Sequence, residues 1–81
     1  MTFIEEVLEN LKKYAEMVLG VKGDALSGET RLEEDLGLKS VQLVQFSAKL
    51  EDEYEVEVPY MALKRCKTFL DIANFMDRAL S

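Results

Sequence analysis

Apolar side chains in this sequence recur three and four residues apart, and nowhere do they alternate over a length that would build a sheet. That periodicity commits the chain to amphipathic helices, which must bury their stripes against one another. Residues 3–19 place Ile4, Val7, Leu8, Leu11, Ala15, Val18 and Leu19 on one face, with Glu5, Glu6, Glu9, Lys12, Lys13 and Glu16 on the other. Gly20 follows as a left-handed C-cap. In residues 40–54, Leu43, Phe46, Leu50 and Tyr54 form one stripe and Val41, Val44 and Ala48 a second beside it, an apolar arc wider than one packing face needs. Gln42, Gln45, Lys49, Asp52 and Glu53 occupy the remainder. Val56-Glu57-Val58 is too short and isolated for a sheet and reads as an extended link. Pro59 opens a short helix over 59–65 that contains Met61, Ala62 and Leu63. Thr68 then caps a last helix over 69–80, which buries Phe69, Ile72, Ala73, Met76 and Leu80.

Between the first two helices lies a connection of about 20 residues, long for so small a domain. Val21, Leu26, Leu32, Leu36 and Leu38 pin it to the core. Thr30-Arg31-Leu32-Glu33 has capping-box spacing and predicts a short helical turn near 31–35. Gly37 permits a backbone conformation closed to other residues. The expected fold is therefore all-α, a small four-helix bundle with a long anchored loop between its first and second helices, in one domain over residues 1–81.

Composition narrows the function. A chain of 81 residues buries roughly 60–65% of its unfolded surface and has no room for a cleft between two lobes. Hydrophobic residues make up 48% of it, too many for a disordered tail. There is no histidine to act as a base, shuttle or metal ligand, and a single cysteine, Cys66, excludes an internal disulfide and a cysteine-based zinc site. A net charge of −6 argues against unaided binding to nucleic acid or anionic membranes and favours basic protein partners. No run approaches the roughly 20 apolar residues of a membrane span. Met1 to Glu6 lack the features of a signal peptide, so a cytoplasmic location is the expectation.

The densest signal is Glu34-Asp35-Leu36-Gly37-Leu38-Lys39-Ser40-Val41, where the anchored loop turns into the second helix. Serine there has an ordinary explanation as an N-cap for the first-turn N–H groups, although Leu43, three residues on, completes no capping box. The stretch also resembles the acyl carrier protein family, whose phosphopantetheine attachment motif runs Asp-Leu-Gly, two variable residues, then the modified serine and an aliphatic residue. Asp35, Leu36, Gly37, Ser40 and Val41 supply that order, and the likeness continues through Val44, Leu50, Glu51, Tyr54, Val58, Pro59, Thr68, Phe69, Ile72, Ala73 and Met76. It covers nearly the whole chain. One departure stands out: members usually carry aspartate directly before the serine, where this chain has Lys39.

The resemblance implies a non-enzymatic carrier with 4′-phosphopantetheine attached to Ser40 and acyl groups held on it as thioesters. It implies a cavity between the second, third and fourth helices, to which Leu43, Phe46, Ser47, Leu50, Met61, Ala62 and Ile72 are assigned. It makes the second helix the docking surface, with Asp35, Lys39, Val41, Gln42, Val44, Gln45, Ala48 and Glu51 as contacts. The partners it implies are a phosphopantetheinyl transferase and acyl-loading, elongating or transferring enzymes with basic docking patches. The carrier is expected to be monomeric. A phosphodiester at Ser40 would sit at the positive end of a helix, and Lys39 can pair with it. Because the start of the second helix is neutral to basic, a specialised fatty-acid, polyketide or lipid-tailoring pathway is expected. The rival reading is a helical protein–protein adaptor in which Ser40 is only a cap.

Three other features have two readings each. Cys66 lies among Lys64, Arg65 and Lys67, which favour a reactive thiolate, but a free cysteine more often packs as a small hydrophobe at a helix end. Glu51, Asp52, Glu53, Glu55 and Glu57 lack the spacing of a calcium loop and form an acidic surface that steers basic partners or simply keeps the chain soluble. Ser47, on the inner stripe, either lines the acyl cavity or bonds a carbonyl one turn back.

Overall fold

The computed structural model describes all 81 residues. Four helices form where the spacing places them: α1 over Phe3–Leu19, α2 over Ser40–Tyr54, α3 over Tyr60–Lys64 and α4 over Phe69–Leu80, with a single 3-10 turn at Gly23–Ala25 and no strands. Local chemistry sets most of the ends. Thr2 Oγ1 accepts the Glu5 N–H at 3.1 Å while Glu5 Oε1 accepts the Thr2 N–H at 2.9 Å, a complete capping box. Thr68 and Asp71 repeat the arrangement at the start of α4. Gly20 ends α1 at φ +71°, as expected. Glu55 ends α2 in the same left-handed region, at φ +53°.

Two ends differ from expectation. Pro59 is not the first helical residue of α3 but the residue before it, because its ψ of 144° keeps it extended. Leu80, expected in the core, is 42% exposed: it lies in the last turn of α4, beyond Met76, the final buried residue of that helix.

The core is continuous and entirely apolar at its centre. Val7, Leu11 and Ala15 of α1, Phe46 and Leu50 of α2, Leu63 of α3, and Phe69, Ile72, Ala73 and Met76 of α4 are fully buried. Aromatic rings join three of the helices. Tyr14 meets Phe46 edge to face, with centroids 6.1 Å apart, and Phe46 meets Phe69 at 6.5 Å.

The long loop is held from both sides. Leu26, Leu32 and Leu38 are buried in the core. The backbone of residues 28–32 also pairs with the chain entering α4: Leu32 N–H donates to Lys67 O at 2.9 Å, Phe69 N–H to Thr30 O at 3.1 Å, and Leu70 N–H to Gly28 O at 2.9 Å. Arg31 and Thr68 form the antiparallel bridge at its centre. The turn expected near 31–35 exists but is closed differently. Thr30 Oγ1 faces backward and accepts the Ser27 N–H at 2.8 Å, while Asp35 Oδ2 accepts the Arg31 N–H at 2.8 Å. Gly37, at φ +60°, lets the chain leave that turn, and Leu38 N–H returns to Leu32 O at 3.0 Å.

Leu32 combines a buried side chain with a backbone bond in this clamp. Leu32→Ala is expected to destabilise the protein by about 2–5 kcal/mol. Denaturant unfolding followed by helical ellipticity measures this, and an unchanged midpoint would mean that the loop is not held through Leu32.

Candidate functional site

Ser40 is the first helical residue of α2, not its cap. The cap is Lys39, whose backbone is extended at φ −101° and ψ 171°. Gln42 causes the shift: its Oε1 accepts the Lys39 N–H at 2.8 Å, closing the helix start from the third helical position. The Ser40 hydroxyl is thereby released from capping and lies 3.1 Å from the Tyr60 hydroxyl at the start of α3. Ser40 is exposed. No acidic side chain occupies the first turn of α2, so its unpaired N–H groups and the positive end of the helix dipole are open to an anion.

A half-open groove of about 380 Å³ begins beside Ser40. Leu32, Leu38, Leu43, Tyr60 and Leu63 supply its apolar and aromatic lining, and Glu33, Lys39, Lys64 and Cys66 also border it. Lys64 Nζ stands 5.9 Å from the centre of the Tyr60 ring. Larger hollows lie between α1 and α2, about 510 Å³, along residues 27–31, about 830 Å³, and beside Glu34 and Lys67, about 440 Å³, but none touches Ser40.

The residues assigned to a cavity divide three ways. Leu43 lines the groove. Phe46, Leu50 and Ile72 are fully buried in the core, Ala62 is half-buried, and Met61 is 53% exposed. Ser47 is buried, and its hydroxyl has no hydrogen-bond partner, so the expected bond to a carbonyl one turn back is not made. An unpaired buried hydroxyl costs about 1–3 kcal/mol.

The residues assigned to docking also divide. Val41, 65% exposed, Val44, 51% exposed, Gln45 and Ala48 form an outward strip on α2, with Lys39 exposed at its head. Three others hold the protein's own backbone: Gln42 caps α2, Asp35 braces the turn at Arg31, and Glu51 Oε2 accepts the Val58 N–H at 2.8 Å. Tyr60 and the approach of Lys64 to the groove have no signal in sequence spacing, because α3 meets α2 only through the fold.

Cys66 packs as a small hydrophobe. It is half-buried, its Sγ donates to Ala62 O at 3.4 Å, and burial, reinforced by the Asp71 carboxylate, pushes its pKa up to about 11. Alkylation by iodoacetamide at pH 8 is therefore expected to be slow, accelerating only toward pH 11 as the thiolate forms. A rate matching that of an exposed cysteine peptide at pH 8 would reverse this assignment.

Comparison with known proteins agrees with this geometry. The model of the family described as "Phosphopantetheine attachment site" matches residues 9–76. The acyl carrier protein of Campylobacter fetus is 31% identical over 71 residues, which span 88% of this chain and 92% of that one. The acyl carrier protein of Thermobifida fusca is 27% identical over 74 residues, 91% of this chain and 94% of its relative. With its helices in the expected order and the match running through almost all of them, the chain belongs to the acyl carrier protein family, whose members hold acyl groups on a covalently attached 4′-phosphopantetheine and do no catalysis themselves.

Proposed function

We propose that Ser40 is the residue that bears the phosphopantetheine arm. The observation that carries this reading is the release of its hydroxyl from capping, which leaves an exposed nucleophile at the anion-favouring end of α2. The surroundings suit the group: Lys39 and Lys64 offer positive charge to a phosphodiester, and the apolar groove beside them receives hydrocarbon. When bound, the arm supplies a thiol that holds an acyl group as a thioester. Tyr60 positions the Ser40 hydroxyl, and Leu43 and Leu63 keep water from the floor of the groove. The rival adaptor reading loses its explanation of Ser40, since the serine is not the cap.

Residues 1–81 act as one carrier domain, a monomer in the cytoplasm, served by a phosphopantetheinyl transferase and by acyl-loading, elongating or transferring enzymes. Val41, Val44 and Ala48 are the apolar part of the docking surface, with Gln45 beside them, Lys39 at one end and Glu51, Asp52 and Glu53 at the other. Basic patches on partner enzymes are drawn to the acidic end. At the Lys39 end they are repelled, which supports a specialised fatty-acid, polyketide or lipid-tailoring pathway with a dedicated partner set.

Ser40→Ala is expected to abolish loading, read by mass spectrometry of protein made alongside a transferase. Its helical ellipticity is expected to stay intact, because the Lys39–Gln42 bond that starts α2 is untouched. Loading of the alanine variant would move the attachment point elsewhere. Lys39→Asp is expected to be loaded faster than the parent by a transferase that serves housekeeping fatty-acid carriers, since like charges at an interface cost up to several kcal/mol. Equal rates for the two proteins would remove the argument for a specialised partner set.

A further inference from the structure

The seam between α2 and the segment carrying α3 is fastened at two points. At its head the Ser40 and Tyr60 hydroxyls lie 3.1 Å apart, and at its foot Glu51 Oε2 holds the Val58 N–H at 2.8 Å. Leu43 and Ser47 stand on α2 between these fastenings. Residues seven apart on a helix face nearly the same way, so Ser47 lies below Ser40 by about two turns, roughly 10 Å along the axis. The groove that opens beside Ser40 has Leu43 in its wall, and Ser47 is the next residue of that face down the seam.

Ser47 is 6% exposed, and its Oγ is buried and makes no hydrogen bond. A serine inside a helix ordinarily spends its hydroxyl on the carbonyl a turn back, and this one does not. The fully buried side chains of α2 and α3 are apolar: Phe46 and Leu50 on α2 and Leu63 on α3. An alanine or valine would complete such a lining with no unpaired group, and a saturated acyl chain would gain nothing from a hydroxyl at this depth. An acyl chain with an oxygen of its own would.

We infer that Ser47 is a specificity-determining residue that hydrogen-bonds a hydroxyl or oxo group on the acyl chain, so that the cargo of this carrier is an oxygenated acyl group. The inference rests on the carrier reading of Ser40. The chain passes from the groove mouth by Leu43 into the seam, and its oxygen pairs with Ser47 Oγ, which serves either as donor to an oxo group or as donor and acceptor to a hydroxyl. The preference is a difference between two cargoes: the oxygenated chain satisfies the buried hydroxyl, and the saturated chain leaves it unpaired.

The test loads the full chain from hexanoyl-, 3-hydroxyhexanoyl- and 3-oxohexanoyl-coenzyme A with a broad-specificity phosphopantetheinyl transferase. The cleavage of each protein-bound thioester by hydroxylamine is then timed and divided by the rate for the same acyl group on free pantetheine. In the parent, at least one oxygenated thioester is expected to be protected about fivefold more than the hexanoyl thioester, the size of one net hydrogen bond. Ser47→Ala is expected to remove that difference and Ser47→Thr, which keeps a hydroxyl, to retain it. Which of the two oxygenated cargoes is protected distinguishes a hydroxy from an oxo chain. Equal protection of all three cargoes in the parent, or a difference that survives in Ser47→Ala, overturns the inference while leaving Ser40 as the loading site. Failure of the parent to accept any of the three at Ser40 overturns the carrier reading and this inference with it.

Discussion

The placement of Phe46 governs the rest of the structure. Its ring is fully buried and meets Tyr14 of α1 on one side and Phe69 of α4 on the other. A ring held by two aromatic neighbours fixes how α2 is rotated about its own axis. Once that rotation is set, helical periodicity does the remainder. Ser40 and Leu43 line the groove with α3, Leu50 completes the core, and Val41, Val44 and Ala48 are left outside. The second apolar stripe is thus not surplus core but surface, exposed because Phe46 claims the buried direction for the other one. The division between a groove-lining face and an exposed apolar face of α2 follows from one side chain.

Electrostatics follow the same axis. Lys39 marks the head of α2, and Glu51, Asp52 and Glu53 lie near its foot, a dipolar arrangement in the same sense as that of the helix itself, whose N-terminus carries the positive end. Charge at the head is therefore doubly positive. An anion attached there is favoured by Lys39, by Lys64 across the groove and by the free N–H groups of the first turn.

Much of this was legible in the sequence because it is local. The long stripes of α1, α2 and α4 and the caps at Gly20 and Thr68 involve partners within a few residues, and spacing alone finds them. The bounds of α2 agree with its spacing, but the cap falls to Lys39 and not to Ser40, because Gln42 reaches back to the Lys39 N–H. Contacts between distant segments left no trace. The Ser40–Tyr60 pairing joins residues 20 apart, and the approach of Lys64 to the groove depends on where α3 comes to rest. Ser47 is subtler still. Spacing allows it a bond one turn back, and only packing determines that the bond is not made. Among the residues assigned to docking, Asp35, Gln42 and Glu51 have polar side chains like any surface group, and nothing in composition distinguishes a free carboxylate or amide from one that closes a turn, a cap or a seam.

The backbone pairing of residues 28–32 with the entry to α4 also has a consequence in time. The loop that delivers the chain to Ser40 is tied down by Lys67, Phe69 and Leu70, which are synthesised well after it. Closing so long a loop carries an entropic cost that only the later contacts repay. On the ribosome, α1 and α2 emerge first and can coil, but the turn before Ser40 has no fixed position until the C-terminal helix is out. Ser40 is present in the nascent chain long before its surroundings are, and the start of α2 gains its final setting only after α4 has followed.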